Sequence, residues 1–330
     1  MSEPSVPGRV LQNLRFDGLW WRKFAYLGCV YGPEWWKRYS PPAIAGIIFV
    51  LVGRNRRGAI ANMQRILAQC GQNATWAAVQ MFAQFSHCLT ETMEYYGPRP
   101  RPIQLDDPER DDLAAALGEG RGAVVVTGHF GNWDVAAKRL REYGRPINVV
   151  MAREVNATTH DYVRQARERV GVSVIYSDTS VFSSLNMIRA LQRNEIVAIQ
   201  LDRPLGAGGT RQVPFFGATA PFPSGPFVLA RLAGAPVIPV FIPRLGTRHY
   251  AIRVCGRFQL AREARDNRSL DRVMAEVVRA FEAVVREFPQ QWFQFTPFWP
   301  ERTDAVAASH DVAGEPPAER VRERRGARHA

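Results

Sequence analysis

Long apolar runs are missing from this 330-residue chain. The stretch Ala43 to Val52, "AIAGIIFVLV", is closed by Arg54, Arg56 and Arg57 and falls well short of the ~20 apolar residues a bilayer-spanning helix requires. A mean hydropathy of -0.22 excludes a polytopic membrane protein. Cysteine is scarce too. Cys29, Cys70, Cys88 and Cys255 lie far apart and form no C-x-x-C pair, which argues against a zinc site or a disulfide framework and for a reducing compartment. The opening "MSEPSVPGRV" lacks the charged-then-apolar pattern of a secretory signal, so the expectation is a chain on the cytoplasmic side. Nucleotide loops are absent as well. "GAGG" at Gly206 to Gly209 comes with no G-K-[ST] and no G-x-G-x-x-G at a strand-to-helix turn, and reads as a flexible loop. "FPSGP" around Ser224 is not the G-x-S-x-G elbow, which argues against a covalent serine mechanism. His87 and Glu91 stand at i and i+4, but no third ligand accompanies them, so packing is the better reading and no metal is expected.

What the chain does have is a globular composition, 46% hydrophobic and 22% charged, enough for one large domain or two small ones. Its formal net charge of +12 is concentrated. Residues 1 to 60 carry nine cations against three anions, half of the excess, whereas the last thirty residues carry six of each sign. Lysine contributes only Lys23, Lys37 and Lys138, so one reading is a bias toward arginine. The other is a basic region that attracts phosphate-rich surfaces. Within it, Trp20, Trp21, Trp35 and Trp36 stand beside cations and the short apolar run. That is the composition of an in-plane membrane anchor and equally of a helical hairpin buried on the main domain. Nucleic acid is not an expected partner, because no recognised module accompanies the charge.

Ala59 to Tyr96 has helical periodicity, broken by "GPRPRP" at residues 97 to 102. Strands and helices then alternate: strands at Ala123–Val126, Ile147–Met151, Val172–Ile175, Ile196–Leu201, Val237–Phe241 and Tyr250–Val254, with helices at Trp133–Glu142, Thr159–Val170, Val181–Gln192, Ser224–Ala233 and Leu270–Glu287. This order predicts an α/β fold with a mixed, mostly parallel sheet flanked by helices and ligands at the carboxyl ends of its strands. The expected organisation is an N-terminal helical, membrane-associating segment (1–58), a main domain (59–300) and a disordered tail (301–330).

One strand ends in "VVVTGHFGNWD", Val124 to Asp134. His129 falls at the carboxyl edge of the sheet and Asp134 in the first turn of the next helix. Gly128 and Gly131 allow a turn tight enough to bring the carboxylate toward the ring. A carboxylate that fixes the tautomer turns a histidine into a general base; the alternative is an aspartate cap beside a satisfied histidine. "GHFGNWD", together with "IQLDRPLGAGGTRQVPFFGATAPFPSGPFVLARLAGAPVIPVF" and "FPQQWFQFTPFW", resembles the bacterial lipid A biosynthesis acyltransferase family over roughly residues 15 to 300.

The resemblance implies a glycerolipid-acyltransferase-like fold. It also implies an O-acyltransferase that moves a fatty acyl chain from acyl-carrier protein or coenzyme A to a hydroxyl of a glycolipid, either a lipid A precursor or a phosphatidylinositol mannoside-like acceptor. His129 would be the general base and Asp134 its motif partner, with Asn132 and Trp133 shaping the loop. Arg153 and Arg167 would hold phosphates, and Asp202, followed by Arg203, would support the histidine or bind a sugar hydroxyl. The thioester is a co-substrate and no cofactor is expected. The implied location is peripheral, on the cytoplasmic face of the inner membrane against an anionic surface. Asp134 is the form of the mannoside branch, where the lipid A branch more often has Glu. The rival reading is a non-enzymatic lipid-binding or carrier-docking protein on the same fold.

Overall fold

The computed structural model describes residues 19–106, 108, 111–151, 171–177, 181–203, 209–261 and 267–299. The expected helix Thr159–Val170, both Arg153 and Arg167, and the tail lie outside the described residues. The chain divides into two units, Met1–Phe298 and Trp299–Ala330; the fold below is that of the first.

Four helices come first: α1 (Leu19–Tyr31), α2 (Glu34–Leu51), α3 (Gly53–Ile66) and α4 (Ala74–Tyr95). Helix α4 starts where the Asn73 side chain accepts the Trp76 N–H at 2.9 Å, which satisfies one of the donors a helix leaves open at its first turn. Along α2, Lys37, Pro41, Ala45 and Phe49 are buried, a four-residue spacing that marks one helical face. Phe49 meets Phe82 of α4 edge-on at 5.3 Å. The other side leaves Trp35, Tyr39, Ile44, Ile47 and Val50 exposed. Thus the apolar run of the sequence is a helix packed on one face and apolar in solvent on the other. Among the described residues no helix is long and apolar enough to cross a membrane.

The remaining elements are β1 (Gln104–Asp106), α5 (Asp112–Gly118), β2 (Ala123–Thr127), α6 (Ala136–Glu142), β3 (Ile147–Met151), β4 (Val172–Tyr176), α7 (Val181–Gln192), β5 (Ile196–Gln200), β6 (Thr210–Phe215), β7 (Ala218–Pro223), α8 (Gly225–Ala233), β8 (Val237–Phe241), β9 (Arg244–Gly246), β10 (His249–Ala251), β11 (Arg253–Val254) and α9 (Asn267–Glu287). Six strands form one sheet in the order β11-β8-β2-β5-β3-β4. Its neighbours are parallel except at β11 against β8. Strand β2 is central, and its Ala-Val-Val-Val is buried, as a strand covered on both faces must be. Strand β5 lies between β2 and β3 although it comes later in the chain. This crossover brings the residues after β2 beside those after β5, at the carboxyl edge where α/β sheets bind ligands.

Helix α9 closes the sheet with a stripe of Leu270, Val273, Met274, Val277, Val278, Phe281, Val284 and Val285, spaced by three and four residues. Each such side chain contributes about 1.5–3 kcal/mol when fully withdrawn from water. Phe281 anchors an aromatic cluster, stacked on Phe241 at 5.0 Å and Phe215 at 5.7 Å and edge-on to Trp292 at 5.9 Å. The predicted strand Tyr250–Val254 is two strands in different sheets: β10 pairs with β1 and β9, and β11 with β8. The break falls at Ile252, whose N–H donates to Asp106 O at 3.1 Å.

Candidate active site

Thr127 of β2 and Gln200 of β5 are registered partners, and Leu201 N–H donates to Thr127 O at 2.7 Å just beyond them. The chains continue in step for two more residues, to His129 and Asp202. One carboxylate oxygen of Asp202 accepts from His129 Nδ1 at 2.8 Å. The other accepts from the His129 backbone N–H at 2.8 Å and from Trp292 Nε1–H at 2.9 Å. The Asp202 side chain is fully buried and that of His129 17% exposed. Burial pushes the Asp202 carboxyl up, but the charge of His129 and the donors of His129 and Trp292 outweigh it and hold the group below the usual carboxylate range. An ionised carboxylate only accepts, so Nδ1 carries the proton of that bond and Nε2 is the ring nitrogen left for a substrate proton. That is the arrangement of a general base.

Two glycines make the approach possible. A Cβ on Gly128 would stand 2.8 Å from the Phe281 ring. Gly131 has φ +57°, and a Cβ there would collide with the Ile242 carbonyl. Any larger residue at either position would push the histidine loop off the sheet.

The loop after His129 is held from the other side. Asn132 is 3% exposed. Its carbonyl oxygen accepts from Thr92 Oγ1 at 2.9 Å, and its amide donates to Cys88 O at 3.2 Å and to Tyr250 Oη at 3.0 Å. Tyr250 in turn donates to Glu91, which pairs with Arg244 at 2.9 Å. The pair leaves Glu91 engaged in structure, while burial foremost, with the charge of Arg244, lowers His87 to about 4. Among the described residues no group of three His, Cys, Asp or Glu is gathered where it could hold a metal ion.

Asp134, expected to turn back onto the ring, is placed differently. Its carboxylate accepts from the Tyr96 hydroxyl at 3.3 Å, and the carboxylate on His129 is that of Asp202. The reason is local: Val135 N–H and Ala136 N–H bond back to Asn132 O and Trp133 O, so the helix begins at Ala136 and not at Trp133. Trp133 stands edge-on to the His129 ring at 5.4 Å. Arg203, partly buried, donates to Phe293 O at 2.9 Å and to Gln294 Oε1 at 3.3 Å. It therefore ties down the segment that carries Trp292, whose neighbour Phe293 donates its N–H to His129 O at 2.7 Å. The role of Trp292 was not foreseen. Its segment, "FPQQWFQFTPFW", carries part of the resemblance, but nothing in it singles out Trp292 beyond aromatic density.

A cavity of about 310 Å³ opens beside this pair. His129, Trp133, Asp134 and Tyr96 line one end. Alternate residues of three strands, Val125 and Thr127, Val149 and Met151, Ala198 and Gln200, form its floor, as one face of a pleated sheet must. Leu140, Ile147 and Val172 are further lining residues. The arrangement can hold an apolar chain against the sheet with its polar end at a histidine base.

Residues 14–301 match the family model described as bacterial lipid A biosynthesis acyltransferase. The chain is similar to a phosphatidylinositol mannoside acyltransferase of Mycolicibacterium smegmatis, 29% identical over 197 residues, which are 59% of this chain and 62% of that protein. It is also similar to the protein of the same name from Mycobacterium tuberculosis strain H37Rv, 32% identical over 132 residues, 39% of this chain and 41% of the relative. The matched part spans about three-fifths of the first relative and two-fifths of the second.

Proposed function

The chain belongs to the bacterial lipid A biosynthesis acyltransferase family, and from that membership we propose that it transfers a fatty acyl chain from an acyl thioester to a hydroxyl of a glycolipid. The observation that carries the proposal is the histidine held by a buried, ionised aspartate beside an apolar cavity. The acyl chain lies along the sheet face. His129 Nε2 takes the proton of the acceptor hydroxyl as its oxygen attacks the thioester carbon, and Asp202 stabilises the imidazolium that forms. The thioester is already activated, so the protein supplies base, orientation and charge stabilisation, with no further cofactor. The donor is carried by acyl-carrier protein or coenzyme A. The acceptor is of the lipid A precursor or phosphatidylinositol mannoside class, the second supported by the names of the relatives. Arg153 and Arg167 hold phosphates of these substrates.

Purified protein incubated with labelled acyl-carrier protein or coenzyme A thioesters and membrane lipid extracts tests this reading. Acylated glycolipid should form, and His129→Ala should lower the rate about 10²- to 10⁴-fold with the fold intact. A His129→Ala rate within about two-fold of wild type would sink the base assignment in favour of lipid binding without chemistry.

The protein works at the cytoplasmic face of the inner membrane, bound through α1 and α2. Supporting this are the exposed Trp35, Ile47 and Val50 beside the exposed Arg38, Arg54 and Arg57, an apolar face edged by cations. Because the opposite face of α2 is buried, the anchor is tested by exposed substitutions. Trp35→Ala combined with Ile47→Ser and Val50→Ser should cut flotation with anionic vesicles while leaving the melting temperature unchanged. Wild-type binding should weaken with salt without vanishing, because attraction of cations is screened and apolar burial is not. Equal flotation of wild type and triple variant places the anchor elsewhere.

A further inference from the structure

The cavity floor is apolar except at the end nearest the histidine, where Thr127 and Gln200 line it and the Thr127 hydroxyl is shut off from water with nothing to bond. Thr127 Oγ1 is buried and has no hydrogen-bond partner. An unsatisfied buried hydroxyl costs the fold stability, whereas valine would fill the same space without that cost. Its place in the sheet gives it a use. Val125 pairs in register with Ala198, and Thr127 with Gln200; all four line the cavity. Just beyond the strand ends come His129, which also lines the cavity, and Asp202, which holds it. Along the cavity the order is therefore apolar pair, polar pair, then the His129 ring. A fatty chain lying over Val125, Val149 and Ala198 brings its first polar atom, the acyl carbonyl oxygen, to the level of Thr127 and Gln200, one step from the base.

Resting on the transfer reading above, we propose that the Thr127 hydroxyl and the Gln200 amide donate to the thioester carbonyl oxygen and take up its charge as the bond to the acceptor forms. The acceptor hydroxyl gives its proton to His129 Nε2 while its oxygen bonds to the acyl carbon. The carbonyl π pair moves onto the oxygen, which the two donors hold. Collapse restores the carbonyl and breaks the C–S bond, and the departing thiolate takes the proton from His129, leaving an ester and a free thiol. Donors aimed at developing charge in a water-poor site act mainly on the transition state.

The test compares wild type, Thr127→Val, Thr127→Ser and Gln200→Met, using palmitoyl-coenzyme A and a glycolipid extract that accepts the chain. Thr127→Val should lower kcat about 10²-fold, with KM for the thioester within about two-fold and a melting temperature no lower than wild type. Thr127→Ser, which keeps the hydroxyl, should recover most of the rate. Gln200→Met should lower kcat in the same way, and a loss confined to one of the two assigns the carbonyl to that donor. Wild-type kcat in both Thr127→Val and Gln200→Met overturns the carbonyl site, as does a loss seen in KM alone. If wild type transfers and His129→Ala does not, such a result sinks this inference and leaves the transfer reading standing. A wild-type protein that transfers nothing sinks both.

Discussion

Among the described residues two histidines each hold an aspartate, and only one of the pairs is built as a base. His129 meets Asp202 at the ends of two parallel strands, with side-chain exposures of 17% and 0%. His249 of β10 meets Asp106 of β1 in the small three-stranded sheet, with exposures of 32% and 45%. The first pair engages Nδ1 and leaves Nε2; the second spends Nε2 on both oxygens of Asp106 at 2.9 Å. Asp202 is further pinned by a backbone N–H and an indole N–H. Asp106 has His249 and the Gln104 amide, a long contact of 3.3 Å, and water. Its carboxyl is also held below the usual range, first by the His249 hydrogen bond, so the direction of the shift does not separate the two. Burial, the nitrogen engaged and the adjacent cavity do. A charge pair in water is screened, whereas the same pair under a sheet edge keeps its orientation and strength.

The sharpest way to break the distinction is Asp202→Asn. An amide keeps the size of the carboxylate but must turn one NH₂ group toward donors, and it can stabilise the wrong ring tautomer. Transfer should fall about 10²- to 10⁴-fold, and the unmatched donors should cost about 1–3 kcal/mol of stability. The pH dependence has a definite sign. The folded pKa of Asp202 lies below its unfolded value of about 3.9, so its contribution to stability is present above that pH and is lost as pH falls through the folded pKa. Denaturation of wild type and Asp202→Asn from pH 7 downward should show the gap closing below about pH 4. A gap that stays constant would mean that Asp202 is already protonated at neutral pH, which would overturn the ionised pair.

How much of this was legible beforehand depended on whether the signal was local. The buried strands β2, β5 and β8 announce themselves as short apolar runs, and His129 follows directly from the end of one of them. Asp202 stood at the end of another, so the two candidates were visible. Their contact was one of two roles that the resemblance left open for Asp202, and spacing could not decide between them, because the contact depends on β5 crossing back beside β2. Spacing favoured Asp134, five residues away; topology delivered Asp202, 73 residues away in sequence. The hold on Asn132 was beyond reach for the same reason, since Cys88, Thr92 and Tyr250 come from elements 44, 40 and 118 residues distant. The β6–β7 hairpin escaped for a chemical reason. Pro214, Pro221 and Pro223 interrupt its pattern, and proline is tolerated there because each strand has a partner on one side only among the described residues. Strands β1 and β9 are three residues each, too short for periodicity to register.

The smallest expected effect tests the comparison from its other side. His249→Ala removes the ring from the exposed pair, and Asp106→Asn removes its charge. Neither residue lines the cavity beside His129, and both side chains are substantially open to water, so solvent replaces what the partner loses. Transfer should remain within about two-fold of wild type in each variant, as is usual for surface substitutions away from a site. One route could carry a larger effect. Ile252 N–H bonds Asp106 O, and β10 also carries Tyr250, which holds Asn132. If the His249–Asp106 pair were needed to keep β1 against β10, its loss would loosen Tyr250 and, through Asn132, the His129 loop. Measuring kcat alongside the melting temperature separates the cases. Wild-type kcat in both variants leaves the exposed pair outside the chemistry; a drop in kcat matched by a drop in melting temperature makes it a strut for the loop. A drop in kcat at unchanged melting temperature would give the exposed pair a direct part in transfer and end the distinction between the two.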